Sequence, residues 1–207
     1  MARDRTEPTQ TPRLSTVAAS SALDLLRVAR AMGLDSGPLP PRLDLRLVRQ
    51  IAAAAGKVGI GRDAAITLCA DPLQMSRVPA LIGQLTDSLR ASPLPRRELE
   101  RLTETLDLDA IGRIVGASPV SLRRYLSGSR ETPDDIAARI HWLALTVSDL
   151  LGAYNEIGVR RWFERPRTAL EGRSPAQVLT TAWDPDDQGA TAVRDLASAL
   201  TNPGMGA

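Results

Sequence analysis

Between Thr132 and Tyr154 the apolar residues Ile136, Ile140, Leu143, Val147, Leu150 or Leu151, and Tyr154 return every three or four positions. An α-helix gathers residues at that spacing onto one face. The same rhythm governs earlier stretches. Leu47, Val48, Ile51, Ala52 and Ala55 mark one side of a helix expected over residues 43–58, and Val17, Leu23, Leu26, Val28 and Ala29 suit another over 14–32. Further helices are expected over 62–70, 76–91, 94–106 and 108–115. Strand signals are almost absent, so the spacing predicts an all-α fold.

Proline and glycine divide these helices. Residues 1–14, with Pro8, Pro12 and mixed charge but no apolar period, read as a flexible arm. Gly33 and the prolines of residues 37–41 end the first helix. Pro93 and Pro95 mark a boundary between two halves. The expected organisation is therefore the arm, a helical N-terminal domain over 15–92, a helix-turn-helix region over 93–131, a small helical domain over 132–200, and a tail over 201–207. Ser118-Pro119, Thr132-Pro133, Ser174-Pro175 and Asp184-Pro185 are helix-start signals in the second half.

Composition removes whole classes of function. Of 207 residues 43% are apolar and 24% charged, the balance of a globular chain with a core. A single cysteine excludes an internal disulfide, which points to a reducing, cytoplasmic setting. No apolar run approaches the ~20 residues of a membrane-spanning helix, and no apolar core of a signal peptide follows the N-terminus.

Catalysis has few groups to draw on. His141 reads as packing or helix surface, and Cys69, within the Ala-rich run AAITLCA, as a small buried thiol. No His and Cys cluster suggests a metal site, and nothing suggests a cofactor or an enzyme. The glycines of GKVGIG, residues 56–61, lack the order of a phosphate-binding loop. Asp184, Asp186 and Asp187 suit the positive end of a helix dipole. With 26 basic and 24 acidic residues the net charge is only +2, so a nucleic-acid footprint has to be local.

Such a footprint is offered by LDAIGRIVGASPVSLRRYLS, residues 108–127. Ile111 and Val115 point inward from a first helix, Gly112 is small at the crossing, and Gly116 sits at the turn. Leu122 and Tyr125 or Leu126 anchor the second helix. Ser118, Val120, Ser121, Arg123 and Arg124 are left facing double-stranded DNA, with Arg130 just beyond. One of Arg123 and Arg124 can pair with guanine O6 and N7 while the other holds a phosphate. From Arg113 to Arg130 four arginines occur with no acid among them. Two helices joined by a glycine turn are also common in all-α proteins, where an arginine pair is a solvated face.

Downstream, Gly158, Trp162, Pro166, Leu170, Gly172, Arg173 and Pro175 form the spaced pattern G-x-x-x-W-x-x-x-P-x-x-x-L-x-G-R-x-P. With the helix-turn-helix before it, the run over residues 108–200 resembles the Xre/MbcA/ParS-like antitoxins, which join an Xre-like helix-turn-helix to a C-terminal toxin-binding domain. The resemblance implies an antitoxin of a type II toxin-antitoxin system that silences a partner toxin, often a RES-type enzyme consuming NAD. It also implies repression of its own operon as a homodimer or higher even oligomer. Arg165, Arg167 and Arg173, the stretch 189–200 and the tail are the implied toxin contacts. Arg167 departs from the family's pattern, which carries asparagine after the proline. The long N-terminal half lies outside the resemblance and suits a dimerisation module, a second DNA-binding unit or a sensor. A free-standing helix-turn-helix regulator without a toxin is the alternative reading. Trp142, Trp162 and Phe163 are expected in the core.

Overall fold

The structure is a computed structural model, and it describes residues 14–180 and 183–200. The expectations for the N-terminal arm and the tail lie outside the described residues, apart from Leu14. Among those residues there are eleven α-helices and two 3₁₀ turns, without a strand. The all-α fold expected from the apolar spacing is what the chain adopts. No single described helix is long and apolar enough to cross a membrane.

The chain divides into two compact units. The first runs to Leu26 and resumes over Gly37–Leu89; the second takes Arg27–Ser36 and everything described from Arg90 onward. In the first unit, α1 (Thr16–Ala31, shared with the second unit), α2 (Leu45–Lys57), α3 (Arg62–Cys69) and α4 (Val78–Arg90) are the regular elements. Asp44 starts α2 by accepting the Leu47 N–H at 2.9 Å. The five positions predicted for the inner face of α2 are all buried.

Arg49 reaches from α2 to the end of α3, donating to the carbonyls of Leu68 at 3.0 Å and Ala70 at 3.1 Å. These are carbonyls that a helix terminus leaves without intrahelical partners. The last four residues of GKVGIG, 58–61, form the turn between α2 and α3. In it Gly61 has φ +56, and a Cβ there would lie 2.6 Å from Leu85 Cδ1.

Two expectations fail in this unit. Val17 and Leu23 are exposed, because the inner face of α1 is set by Ala18, Ala22, Leu25 and Leu26. Cys69 is exposed rather than buried. It is the last residue of α3, one step past Leu68, and the buried face passes through Ala64, Ala65 and Leu68.

The second unit contains α5 (Pro95–Thr105), α6 (Leu108–Val115), α7 (Pro119–Ser127), α8 (Asp134–Leu151), α9 (Glu156–Glu164), α10 (Pro175–Val178) and α11 (Gln188–Ser198). Helix α8 is its axis, packing against α5, α6, α9 and α11. From Arg139 to Val147 every residue of α8 is buried, so the expected single apolar face is in fact a helix enclosed all round. Of the alternatives Leu150 and Leu151, Leu150 takes the inner position; Tyr154 is a correction, exposed because the helix ends at Leu151. The start expected at Asp184-Pro185 also moves. Asp187 caps α11 while its carboxylate accepts the Asp184 N–H at 2.7 Å, making residues 184–187 a turn ahead of the helix.

Candidate functional site

Residues 107–128 form two short helices joined by a tight turn. The Asp107 carboxylate accepts the Ala110 N–H at 2.7 Å and opens α6, whose Ile111, Ile114 and Val115 are buried. A Cβ on Gly112 would stand 2.4 Å from the Ala117 carbonyl oxygen, so no side chain fits where the turn crosses the first helix. Gly116 ends α6 at φ +76, a conformation that disfavours any residue with a Cβ. Ser118 then caps α7, accepting the Ser121 N–H at 3.1 Å, with Pro119 in the first turn. Leu122 and Tyr125 fill the inner side. Leu126 is half-buried, so Tyr125 is the main anchor of the two alternatives.

The outward side of α7 carries the residues that sequence spacing singled out for DNA. Val120 is 56% exposed, and Ser118, Arg123 and Arg124 are exposed. Ser121 is half-buried and its hydroxyl accepts from that of Ser118 at 3.0 Å. Arg130 lies past the helix with its guanidinium 5.9 Å from the Tyr125 ring. Arg113 faces Glu164 of α9 at 3.5 Å. The acid-free arginine stretch of the sequence therefore has an acid beside it in space.

Several residues that hold this motif gave no clear signal in the sequence. The Trp183 indole donates to the Ile114 carbonyl at 2.7 Å. Arg139, buried in α8, donates to the carbonyls of Val115 at 3.2 Å and Trp183 at 2.6 Å. Arg160 of α9 donates to the Thr105 carbonyl at 2.6 Å. The C-terminal ends of α5 and α6 are thus closed by side chains from residues far along the chain. Only the scarcity of tryptophan hinted at Trp183. Of the two alternatives, packing or helix surface, His141 is buried, and both ring nitrogens have polar neighbours. Its Nδ1 is 2.5 Å from Glu98 Oε1 and its Nε2 is 2.8 Å from the Arg90 carbonyl.

In the C-terminal region Asn155 caps α9 by accepting the Gly158 N–H at 2.9 Å, so Gly158 sits inside the first turn rather than at the start. A Cβ at Gly158 would meet Tyr154 Cβ at 2.9 Å. Trp162 and Phe163 are buried edge to face at 5.2 Å, and Trp142 packs similarly on Trp183 at 4.9 Å. The helix stops at Glu164, ahead of Pro166.

The loop that follows closes on itself. Arg167 N–H donates to the Arg173 carbonyl and Gly172 N–H to the Arg167 carbonyl, each at 3.0 Å. Leu170 is buried beneath it and Gly172 adopts φ +79. Ser174 and Gln177 form a reciprocal capping box on α10. Of the three arginines implied for toxin contact, Arg165 and Arg173 are exposed, with Arg173 3.7 Å from Glu171. Arg167 is half-buried and its guanidinium lies 5.0 Å from the Trp162 ring centre.

Residues 149–200 match the family model described as the antitoxin Xre/MbcA/ParS C-terminal toxin-binding domain. The match begins at the end of α8 and covers about a quarter of the chain, leaving α6 and α7 outside it. No curated protein and no solved structure matches the chain. The spaced glycine, tryptophan and proline pattern falls within these residues, so the C-terminal region of the chain is similar to the toxin-binding domain of the Xre/MbcA/ParS antitoxins.

Proposed function

We propose that this antitoxin reads its own operator through α7 and silences a partner toxin through residues 149–200. The DNA reading rests on one observation above the others. Val120, Arg123 and Arg124 face solvent from a helix whose inner side, cap and turn are all occupied structurally. An exposed arginine fork matches guanine O6 and N7, and an exposed valine matches a thymine methyl. Ser118 and Ser121 at the helix start, with Arg130 past its end, supply phosphate contacts that set the register. Operator binding as a homodimer or higher even oligomer would present two copies of α7 to a palindrome, about 34–36 Å apart.

Toxin binding rests on the family match. Arg165 and Arg173 are the accessible cations of the loop between α9 and α10, and Arg167 supports that loop from the side of Trp162. A RES-type, NAD-consuming toxin in the cytoplasm is the partner this reading assigns.

The test is fluorescence anisotropy against the DNA upstream of the gene and a scrambled duplex across a salt series. Wild type should prefer the upstream DNA, with affinity falling as salt rises. Arg123→Ala with Arg124→Ala should cost about 1–3 kcal/mol for each lost base contact. Undiminished sequence preference in the double variant would overturn the assignment of α7.

A further inference from the structure

From the last residue of α8 to the first turn of α9, every residue over Leu151–Ile157 is exposed. Leu151, Tyr154 and Ile157 recur there at every third position and are 44%, 38% and 58% exposed. A lone exposed leucine is ordinary, but large apolar side chains grouped on one ridge mark a contact surface. The ridge is fixed by its neighbours. The Tyr154 N–H donates to the Leu150 carbonyl at 2.8 Å, and Asn155 caps α9. Gly158 leaves room for the Tyr154 ring, whose Cδ1 would lie 3.2 Å from a Cβ there. The axes of α8 and α9 turn by 119° at this point, so the residues between them form a corner.

The charge left over beside the ridge has one sign. Arg161 lies one turn after Ile157 on the same face of α9, and Arg165 follows at the end of the helix; both are exposed. The acids of this helix are engaged elsewhere, Glu156 with Arg160 at 3.8 Å and Glu164 with Arg113 at 3.5 Å. Among the described residues neither Arg161 nor Arg165 forms an ion pair.

That combination selects among occupants. A second copy meeting the ridge about a twofold axis would bring two sets of these cations into one interface. A nucleic acid would offer phosphates to the arginines and leave the apolar ridge unmatched. A protein with an apolar hollow rimmed by carboxylates satisfies both, and tyrosine and arginine are side chains that carry much of the binding energy at such contacts.

We propose that the partner toxin is that protein: an apolar hollow on its surface receives Leu151, Tyr154 and Ile157, and carboxylates at the rim meet Arg161 and Arg165. The proposal rests on the reading of residues 149–200 as toxin-binding, and the ridge stands at the start of that stretch.

Isothermal titration of the full chain against the purified products of the two genes adjoining its own tests the proposal. One of them should bind wild type, with affinity falling as salt rises. Tyr154→Ser with Ile157→Ser should weaken that binding about tenfold or more, and Arg161→Glu with Arg165→Glu should weaken it and flatten the salt dependence. Val17→Ser and Arg42→Glu, at exposed positions of the other unit, should leave it unchanged. Circular dichroism checks folding, and the arginine pair serves if the apolar pair is misfolded. If neither product binds wild type, the toxin reading falls and the proposal with it. If one binds and either folded double variant binds it undiminished, the ridge assignment alone is overturned. A wild-type dimer that Tyr154→Ser with Ile157→Ser disperses, while toxin binding persists, would also overturn it and give the ridge to a second copy.

Discussion

Gly112 shows how narrow the tolerance is at single positions. The carbonyl of Ala117 lies where its side chain would begin, and this atom belongs to the backbone of the turn, which cannot simply rotate away. Gly112→Ala should destabilise the protein by about 1–3 kcal/mol through overpacking, read as a lower urea midpoint. An unchanged midpoint would mean that the turn can open without cost. Glu98 is the opposite case, a polar residue with no exposure at all. Its Oε1 meets His141 while Oε2 is buried without a partner. The His141 ring bridges that carboxylate and the Arg90 carbonyl, so the chain's one histidine joins α5 to the last residue of α4 through α8.

At the scale of elements, short helices persist because their ends are satisfied. Helix α6 has only eight residues, below the length at which an isolated helix is stable in water. Its last carbonyls are taken by the Trp183 indole and the Arg139 guanidinium. Trp183→Phe keeps most of the ring but leaves the Ile114 carbonyl without that donor, a loss of about 1–3 kcal/mol if the carbonyl stays dry. The amides of α6 should then exchange hydrogen faster than in wild type. Exchange unchanged in α6 would show that the bond contributes nothing to holding the helix. Because residue 183 lies inside the stretch that matches the toxin-binding domain, this bond is a direct physical connection between that stretch and α6.

At the scale of the whole molecule, the division into units does not follow chain order. Residues Arg27–Ser36 belong to the second unit, and they include the buried Val28, Ala29, Ala31 and Met32. Ser148 of α8 donates to the Arg27 carbonyl at 3.1 Å, and a Cβ on Gly33 would lie 3.2 Å from Arg97 Cβ. Burying Val28 and Met32 is worth about 1.5–3 kcal/mol each as an upper figure. A fragment of residues 90–207 should therefore melt at least about 5 °C below the same fragment carrying residues 27–36 through a flexible linker. Equal melting temperatures would show that the segment adds nothing to that unit.

The sequence by itself determined that the chain is helical, the caps at Ser118 and Ser174, and the family that residues 149–200 resemble. These are local properties: a 3.6-residue period, Ser118 before Pro119, Gly116 at a turn, and a fixed spacing from Gly158 to Pro175. Cap and turn chemistry acts within four residues, so it is written in adjacent letters. Tertiary structure alone decided which polar residues are buried and what they hold. Arg139, His141 and Trp183 bond to groups 24 to 69 positions away, and Glu164 comes to Arg113 across 51. Such bonds are set by how helices pack rather than by local spacing. For the same reason Cys69 and Val17 could be placed on helices from sequence, while their exposure depended on which neighbouring helix face the core had claimed.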